Sequence, residues 1–190
     1  APMFITAKKG LELDGNNPVL LYGYGGFNYG MRPRFIGTTA SFVNRGGIFA
    51  LACLRGGDEY GENWHKDGMM YNKQNTFDDF IAAAEYLVDE NYTDYDKLAI
   101  KGGSNGGLLV GAVVTQRPDI CKTAICAVPL LDMLRYHKFL IARYWIPEYG
   151  DPDKRKDFYN LLDYSPYHNI SKGYNYPTMM VKAGENDSRV

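Results

Sequence analysis

Hydrophobic positions fall into two alternating kinds of stretch along the chain. Short apolar runs are separated by longer segments in which apolar residues recur every three or four positions, the pattern of strands alternating with helices in an α/β sheet. Met3 to Lys8 and Val19 to Tyr22 predict two strands on either side of a turn at Asp14-Gly15-Asn16-Asn17. Ile48 to Leu54, entered through Gly46-Gly47, predicts a buried strand. Phe77, Phe80, Ile81, Ala84, Leu87 and Val88 then keep helical spacing behind a capping-box pair, Thr76 and Asp79, and this helix is expected to stop near Asn91. Leu98 to Lys101 predicts a short strand, Leu108 to Thr115 an apolar helix and Ala124 to Val128 the next strand. Leu134 to Ala142 and Arg155 to Leu162 predict helices, the second started by Asp151-Pro152, and Thr178 to Ala183 predicts a last strand. The alternation makes the sheet mostly parallel with helices on both faces, and places functional residues at the carboxyl ends of strands.

Composition narrows the function classes. The 190 residues are 45% hydrophobic and 23% charged, enough to bury the core of one domain. With 21 basic and 22 acidic residues there is no electrostatic case for binding nucleic acid or an anionic membrane. The longest apolar runs, Ile48 to Leu54 and Leu108 to Val114, are too short to span a bilayer. Cys53, Cys121 and Cys126 form no CxxC pair and read as small core residues of a protein in a reducing compartment, so a cytoplasmic location is expected. No cluster with metal-ligand spacing is present, and no metal or other cofactor is expected.

The chemistry sits between the strand at Leu98 and the helix at Leu108. Gly102-Gly103-Ser104-Asn105-Gly106 fits G-x-S-x-G in the context a nucleophile elbow requires: a strand, a tight turn, then directly a helix. The turn would strain Ser104 and expose its hydroxyl, and the Asn105 N–H at the helix start would face a developing oxyanion. A structural glycine-rich turn is the plainer alternative, and a phosphate-binding loop lacks its Lys-Ser/Thr ending. A serine nucleophile needs a base and an orienting carboxylate, in the chain order Ser, Asp or Glu, His on α/β-hydrolase sheets. Asp187 follows the last strand, with Glu185 beside it and Asp132 after an earlier strand as the other candidates. His65, His137 and His168 all precede Asp187, against that order, and read as structural or surface histidines.

Seven segments together carry a resemblance. They are Leu21-Tyr22-Gly23-Tyr24-Gly25-Gly26-Phe27-Asn28, Arg55-Gly56-Gly57-Asp58-Glu59-Tyr60-Gly61, Asn72 through Phe80, Gly102 through Leu109, Gln116-Arg117-Pro118-Asp119, Tyr164 through Asn169, and Asp187-Ser188-Arg189-Val190. With them the chain resembles the catalytic domain of the prolyl oligopeptidase family of serine peptidases, along essentially its whole length. The resemblance implies an α/β-hydrolase fold and a segment of a longer, monomeric, cytoplasmic enzyme. The β-propeller and the histidine-bearing segment of that enzyme would lie outside residues 1–190. It implies cleavage of short proline-containing peptides after proline, with Ser104 as nucleophile, Asp187 as orienting carboxylate, and Tyr24 and Asn105 as oxyanion donors. Phe27, Trp145, Tyr149, Val190 and Leu130 would form a hydrophobic slot for the proline ring, and Arg189 would hold the substrate carbonyl before it. Trp145 and Tyr149 also fit a helix packing face, and Arg189 a surface salt bridge. An esterase or peptide transferase on the same site, and a non-catalytic peptidase fragment, are the alternative functions.

Overall fold

The computed structural model describes residues 1–187 and 189; the expectations on Ser188 and Val190 lie outside the described residues. Among the described residues six strands form one sheet in the order β1-β3-β2-β4-β5-β6. They are β1 (Met3–Thr6), β2 (Val19–Tyr22), β3 (Ile48–Ala52), β4 (Leu98–Gly103), β5 (Thr123–Ala127) and β6 (Thr178–Lys182). All neighbours pair in parallel except β1, which runs antiparallel to β3 at one edge. β6 closes the other edge with Met179, Met180 and Val181 exposed.

The helices are α1 (Thr39–Asn44), α2 (Glu62–Lys66), α3 (Gln74–Asp89), α4 (Asn105–Gln116), α5 (Ile146–Tyr149), α6 (Arg155–Tyr164) and α7 (Pro166–Asn169). Alternation along the strands decides what covers each face. Val19, Leu21, Ile48, Ala50, Leu98, Ile100, Ala124 and Cys126 point to one side and are fully buried under α3 and α4. α3 contributes Phe77, Phe80, Ala84 and Leu87, one stripe at helical spacing, whereas α4 is buried at every position from Asn105 to Val114 and is the central helix of the layer. On the opposite face Phe4, Leu20, Tyr22, Phe49 and Leu51 meet the 33–39 segment and the start of α1 around a cavity of about 510 Å³. Among the described residues no helix is long and apolar enough to cross a membrane.

Helix ends follow local chemistry. α3 stops in a Schellman turn: Asn91 takes a φ of 58°, its N–H donates to Val88 O at 3.0 Å, and the Tyr92 N–H donates to Leu87 O at 2.9 Å. α4 ends at Gln116, and Pro118 keeps the next residue, Arg117, out of the helical region.

Three expectations are corrected. α3 begins at Gln74, so Thr76 and Asp79 do not cap it. Both side chains turn instead to the loop after β3: Thr76 Oγ1 donates to Arg55 O at 2.8 Å, and Asp79 receives the Arg55 guanidinium at 2.6 and 2.9 Å and its backbone N–H at 3.0 Å. The Leu134–Ala142 segment holds no α-helix. It forms two short 3₁₀ turns, Tyr136–Lys138 and Ala142–Trp145, because Leu140 adopts a left-handed φ of 46° between them. α4 starts at Asn105, three residues earlier than its apolar pattern, because the turn at Ser104 passes straight into it.

Burial gives the fold a pH signature. It pushes the thiols of Cys53 and Cys126 up to about 11 and that of Cys121 up to about 12, and it raises the Tyr136, Tyr149 and Tyr164 phenols as well. These groups keep their protons in the folded chain at a pH where the unfolded chain has released them, so stability falls as pH rises. Lys73, lowered to about 8 by burial, opposes the trend. The urea midpoint under reducing conditions is expected to fall steadily from about pH 9 to about pH 11. A midpoint that stays flat or rises over that range would contradict the burial of these groups.

Candidate active site

β4 runs into α4 through a single residue. Ser104 takes φ 57° and ψ −120°, a region costing a non-glycine residue about 1–3 kcal/mol. The turn is held from both sides: the Ser104 N–H donates to Ala127 O on β5 at 2.9 Å, and its carbonyl accepts the N–H groups of Gly107 and Leu108 at 2.8 and 3.1 Å. Two glycines permit the close approach. A Cβ at Gly102 would run into the Gly106 backbone, and one at Gly106 would lie 2.6 Å from Gly23 O. The Ser104 side chain therefore stands partly exposed at the carboxyl edge of the sheet, above the first turn of α4. Asn105, at the first helical position, has an N–H with no intrahelical acceptor.

The Asn105 side chain is buried and does more than its sequence position suggests. Its Nδ2 donates to Tyr24 O at 2.5 Å and its Oδ1 accepts the Tyr149 hydroxyl at 2.8 Å. One amide thereby ties the elbow to the loop after β2 and to α5. In that loop Tyr24 is half-buried, edge-on to Tyr29 at 5.6 Å. Burial raises its phenol, with Glu148 adding to the shift and Arg189 opposing it. A phenol held protonated is a hydrogen-bond donor, the state an oxyanion requires.

Phe27 sits at a left-handed φ of 57°, its N–H bonded to Glu148 Oε1 at 2.8 Å. Its ring meets Trp145 and Tyr149 edge-on at 6.2 and 5.6 Å. Leu130 and Trp145 line an apolar cavity of about 240 Å³ with Pro129, Tyr136, Phe139 and Ala142. Tyr149 has no solvent exposure, so it supports the slot through Phe27 and Asn105 rather than by touching an occupant. Trp145 and Tyr149 belong to successive short elements, a 3₁₀ turn and α5, and both aromatic rings turn toward Phe27.

The sheet brings the Asp187 segment to the same edge. Gly103 pairs with Ala127, and Ala127 with Lys182, so the chain leaves β4, β5 and β6 at one level. Asp187 lies in the turn that follows, with its N–H on Gly184 O at 3.3 Å and its Oδ1 accepting the Arg189 N–H at 2.9 Å. Arg189 is exposed and close enough to Tyr24 to influence its ionisation. Glu185 is exposed in the same turn, and Asp132 is occupied by Arg135. The three histidines have these neighbours: His65 Nε2 bonds Glu148 at 2.8 Å, His137 Nε2 lies 3.4 Å from Asp153 with neither ring nitrogen hydrogen-bonded, and His168 Nδ1 pairs with Ser165 Oγ at 2.8 Å.

Two participants escape a reading of the sequence. Lys73 and Glu148 are buried against this site, although Lys73 stands in a polar stretch of the chain and Glu148 carries a charge among aromatic and apolar neighbours.

Comparison with known proteins identifies the family. Residues 33–190 match the prolyl oligopeptidase family. The chain is 48% identical to the prolyl endopeptidase of Elizabethkingia miricola over 190 residues, all of this chain and 27% of that protein. It is 49% identical to the Dictyostelium discoideum prolyl endopeptidase, again over all of this chain and 25% of the relative. A solved prolyl endopeptidase structure superposes with a TM-score of 0.98 at 54% identity, covering 100% of this chain and 28% of that one. Prolyl oligopeptidase B from Galerina marginata, solved with a 35-residue hydrolysis and macrocyclization substrate, superposes with a TM-score of 0.97 at 40% identity over 100% of this chain and 26% of its own. The chain thus spans about a quarter of the length of the proteins it matches, and over that span it belongs to the prolyl oligopeptidase family.

Proposed function

We propose that this chain is the nucleophile-bearing part of a serine endopeptidase that cleaves short peptides on the carboxyl side of proline. The observation that carries the proposal is the strained Ser104 elbow beside an aromatic slot built by Phe27 and Trp145. Relatives named prolyl endopeptidases support the substrate class.

Ser104 Oγ attacks the carbonyl carbon of a proline residue whose flat ring packs in the slot. The hydroxyl proton passes to an imidazole supplied from outside these residues and oriented by Asp187. The negative charge that develops on the carbonyl oxygen is met by the Asn105 N–H and the Tyr24 hydroxyl. The C–N bond then breaks, the leaving amine takes the proton from the imidazolium, and water hydrolyses the resulting ester with the same base. Arg189 holds the carbonyl that precedes the proline. Where a peptide amine replaces water, the same acyl-enzyme gives peptide transfer, a second reading favoured by the hydrolysis and macrocyclization substrate bound to the Galerina relative.

The full-length protein carrying this segment is expected to cleave a Gly-Pro reporter and to be labelled by a fluorophosphonate at Ser104. Ser104→Ala should lower kcat by about 10⁴-fold or more. The 190-residue chain alone should show no robust cleavage, and efficient turnover by it would overturn the external imidazole. Failure of the full-length protein to cleave would sink the peptidase assignment.

Trp145→Ala tests the slot. The ratio of kcat/KM for a proline reporter over its alanine counterpart should fall by about 10-fold or more, since a well-packed apolar ring contact is worth that much discrimination. An unchanged ratio would place the specificity determinant elsewhere.

A further inference from the structure

Three polar side chains with almost no solvent exposure converge on the loop after β2: Lys73 at 1%, Asn105 at 1% and Glu148 at 5%. Lys73 Nζ donates to Gly25 O at 2.7 Å, Asn105 Nδ2 to Tyr24 O, and Glu148 Oε1 accepts the Phe27 N–H at 2.8 Å. They engage backbone groups at three of four consecutive residues of one loop from three different elements. Lys73 precedes α3, Glu148 lies in α5 and Asn105 opens α4.

The loop needs holding. Gly25, Phe27 and Asn28 have φ of 61°, 57° and 54°, so two residues with side chains sit in the left-handed region. Burying a charged lysine and a carboxylate is costly, and apolar residues of similar volume would often serve stability better. The position of the loop is what these groups specify. Burial lowers the Lys73 ammonium to about 8, with Glu148 opposing, and the neutral amine still donates an N–H to Gly25 O.

Glu148 has a second connection. It lies between Trp145 and Tyr149 in sequence, and its Oε2 bonds His65 Nε2 at 2.8 Å while Oε1 holds Phe27. The loop that presents the Tyr24 phenol is therefore fastened to the turn that presents the aromatic slot.

We infer that Lys73 and Glu148 are positioning residues of the peptidase reaction, fixing the Tyr24–Phe27 loop so that the phenol meets the oxyanion while Phe27 closes on Trp145. This inference rests on the peptidase reading above and names residues that act on the oxyanion through Tyr24, without touching substrate.

A double-mutant cycle in the full-length enzyme tests it. Tyr24→Phe alone should lower kcat by about 10²-fold, the usual effect of losing one oxyanion donor. Lys73→Met should lower kcat by about 10- to 100-fold, with KM within about threefold and the fraction of folded enzyme unchanged by circular dichroism. The double variant should be little worse than Tyr24→Phe, because a displaced phenol has nothing left to lose. Losses that multiply would overturn the inference, since a merely structural role adds independently of Tyr24. Should Lys73→Met fail to fold, Glu148→Ala enters the same cycle with the same two outcomes, and Glu148→Gln, which keeps an acceptor for the Phe27 N–H, should restore most of the kcat lost in Glu148→Ala. A wild-type enzyme that cleaves after proline but gives multiplying losses refutes the positioning role alone, whereas a wild type without post-proline cleavage refutes the reading beneath it.

Discussion

A single buried amide fixes the relation among the parts of this site. The Asn105 side chain gives its donor to Tyr24 O and its acceptor to the Tyr149 hydroxyl, so the Ser104 elbow, the loop after β2 and α5 cannot move independently without leaving a buried polar group unpaired. Such an orphaned group costs about 1–3 kcal/mol, a large share of the net stability of a small domain. The packing leaves little freedom elsewhere. A Cβ at Gly26 would lie 2.6 Å from the Asn105 amide, and one at Gly23 would lie 2.7 Å from the Phe80 ring and 2.8 Å from Leu109. The glycines of the Tyr22-Gly23-Tyr24-Gly25-Gly26 stretch thus allow the loop to lie against α3 and α4 while presenting a phenol outward.

The same economy explains why the segments after β3 and before α3 are so polar. Arg55 and Asp79 form a forked ion pair whose carboxylate also takes the Arg55 backbone N–H, and Gly56 donates to Trp64 O while its carbonyl accepts the Asn28 N–H. A Cβ at Gly56 would sit 2.5 Å from Gly25 O. The Arg55–Gly61 loop is therefore a backing layer for the Tyr24 loop, and α3 anchors that layer through Asp79 and Thr76. Strain at Ser104, Phe27 and Asn28 is maintained because hydrogen bonds from several elements over-determine the backbone around it.

How much of this is legible in the sequence depends on the range of the interaction. β2 is readable to the residue, and the other strands to within about two residues, because burial on one or both faces writes itself into a short window. The Ser104 elbow is readable because strand, turn and helix are contiguous. The α3 apolar stripe is readable, but its capping pair is not: Thr76 and Asp79 look local and are claimed by Arg55, about twenty residues away. Lys73 reads as one of four polar residues in Asn72-Lys73-Gln74-Asn75, and its burial arises from a partner 48 positions earlier. Glu148 and Phe27 are 121 positions apart. No periodicity records such a contact; membership of Lys73 in a segment that carries the family resemblance is the only trace of it in the chain. α1, α2, α5 and α7 are one or two turns long, too short for a helical period to show.

The level register of β4, β5 and β6 acts as a ruler laid across the carboxyl edge of the sheet. Gly103, Ala127 and Lys182 stand abreast, so the serine turn and the aspartate turn begin two strand spacings apart, about 10 Å. In the proposed reading that interval leaves room for one imidazole with a hydrogen bond at each end. β5 is the spacer, and no candidate catalytic residue lies on it. The sheet sets the separation of the two turns by counting strands, and that separation is held by backbone pairing, which side-chain substitutions leave untouched.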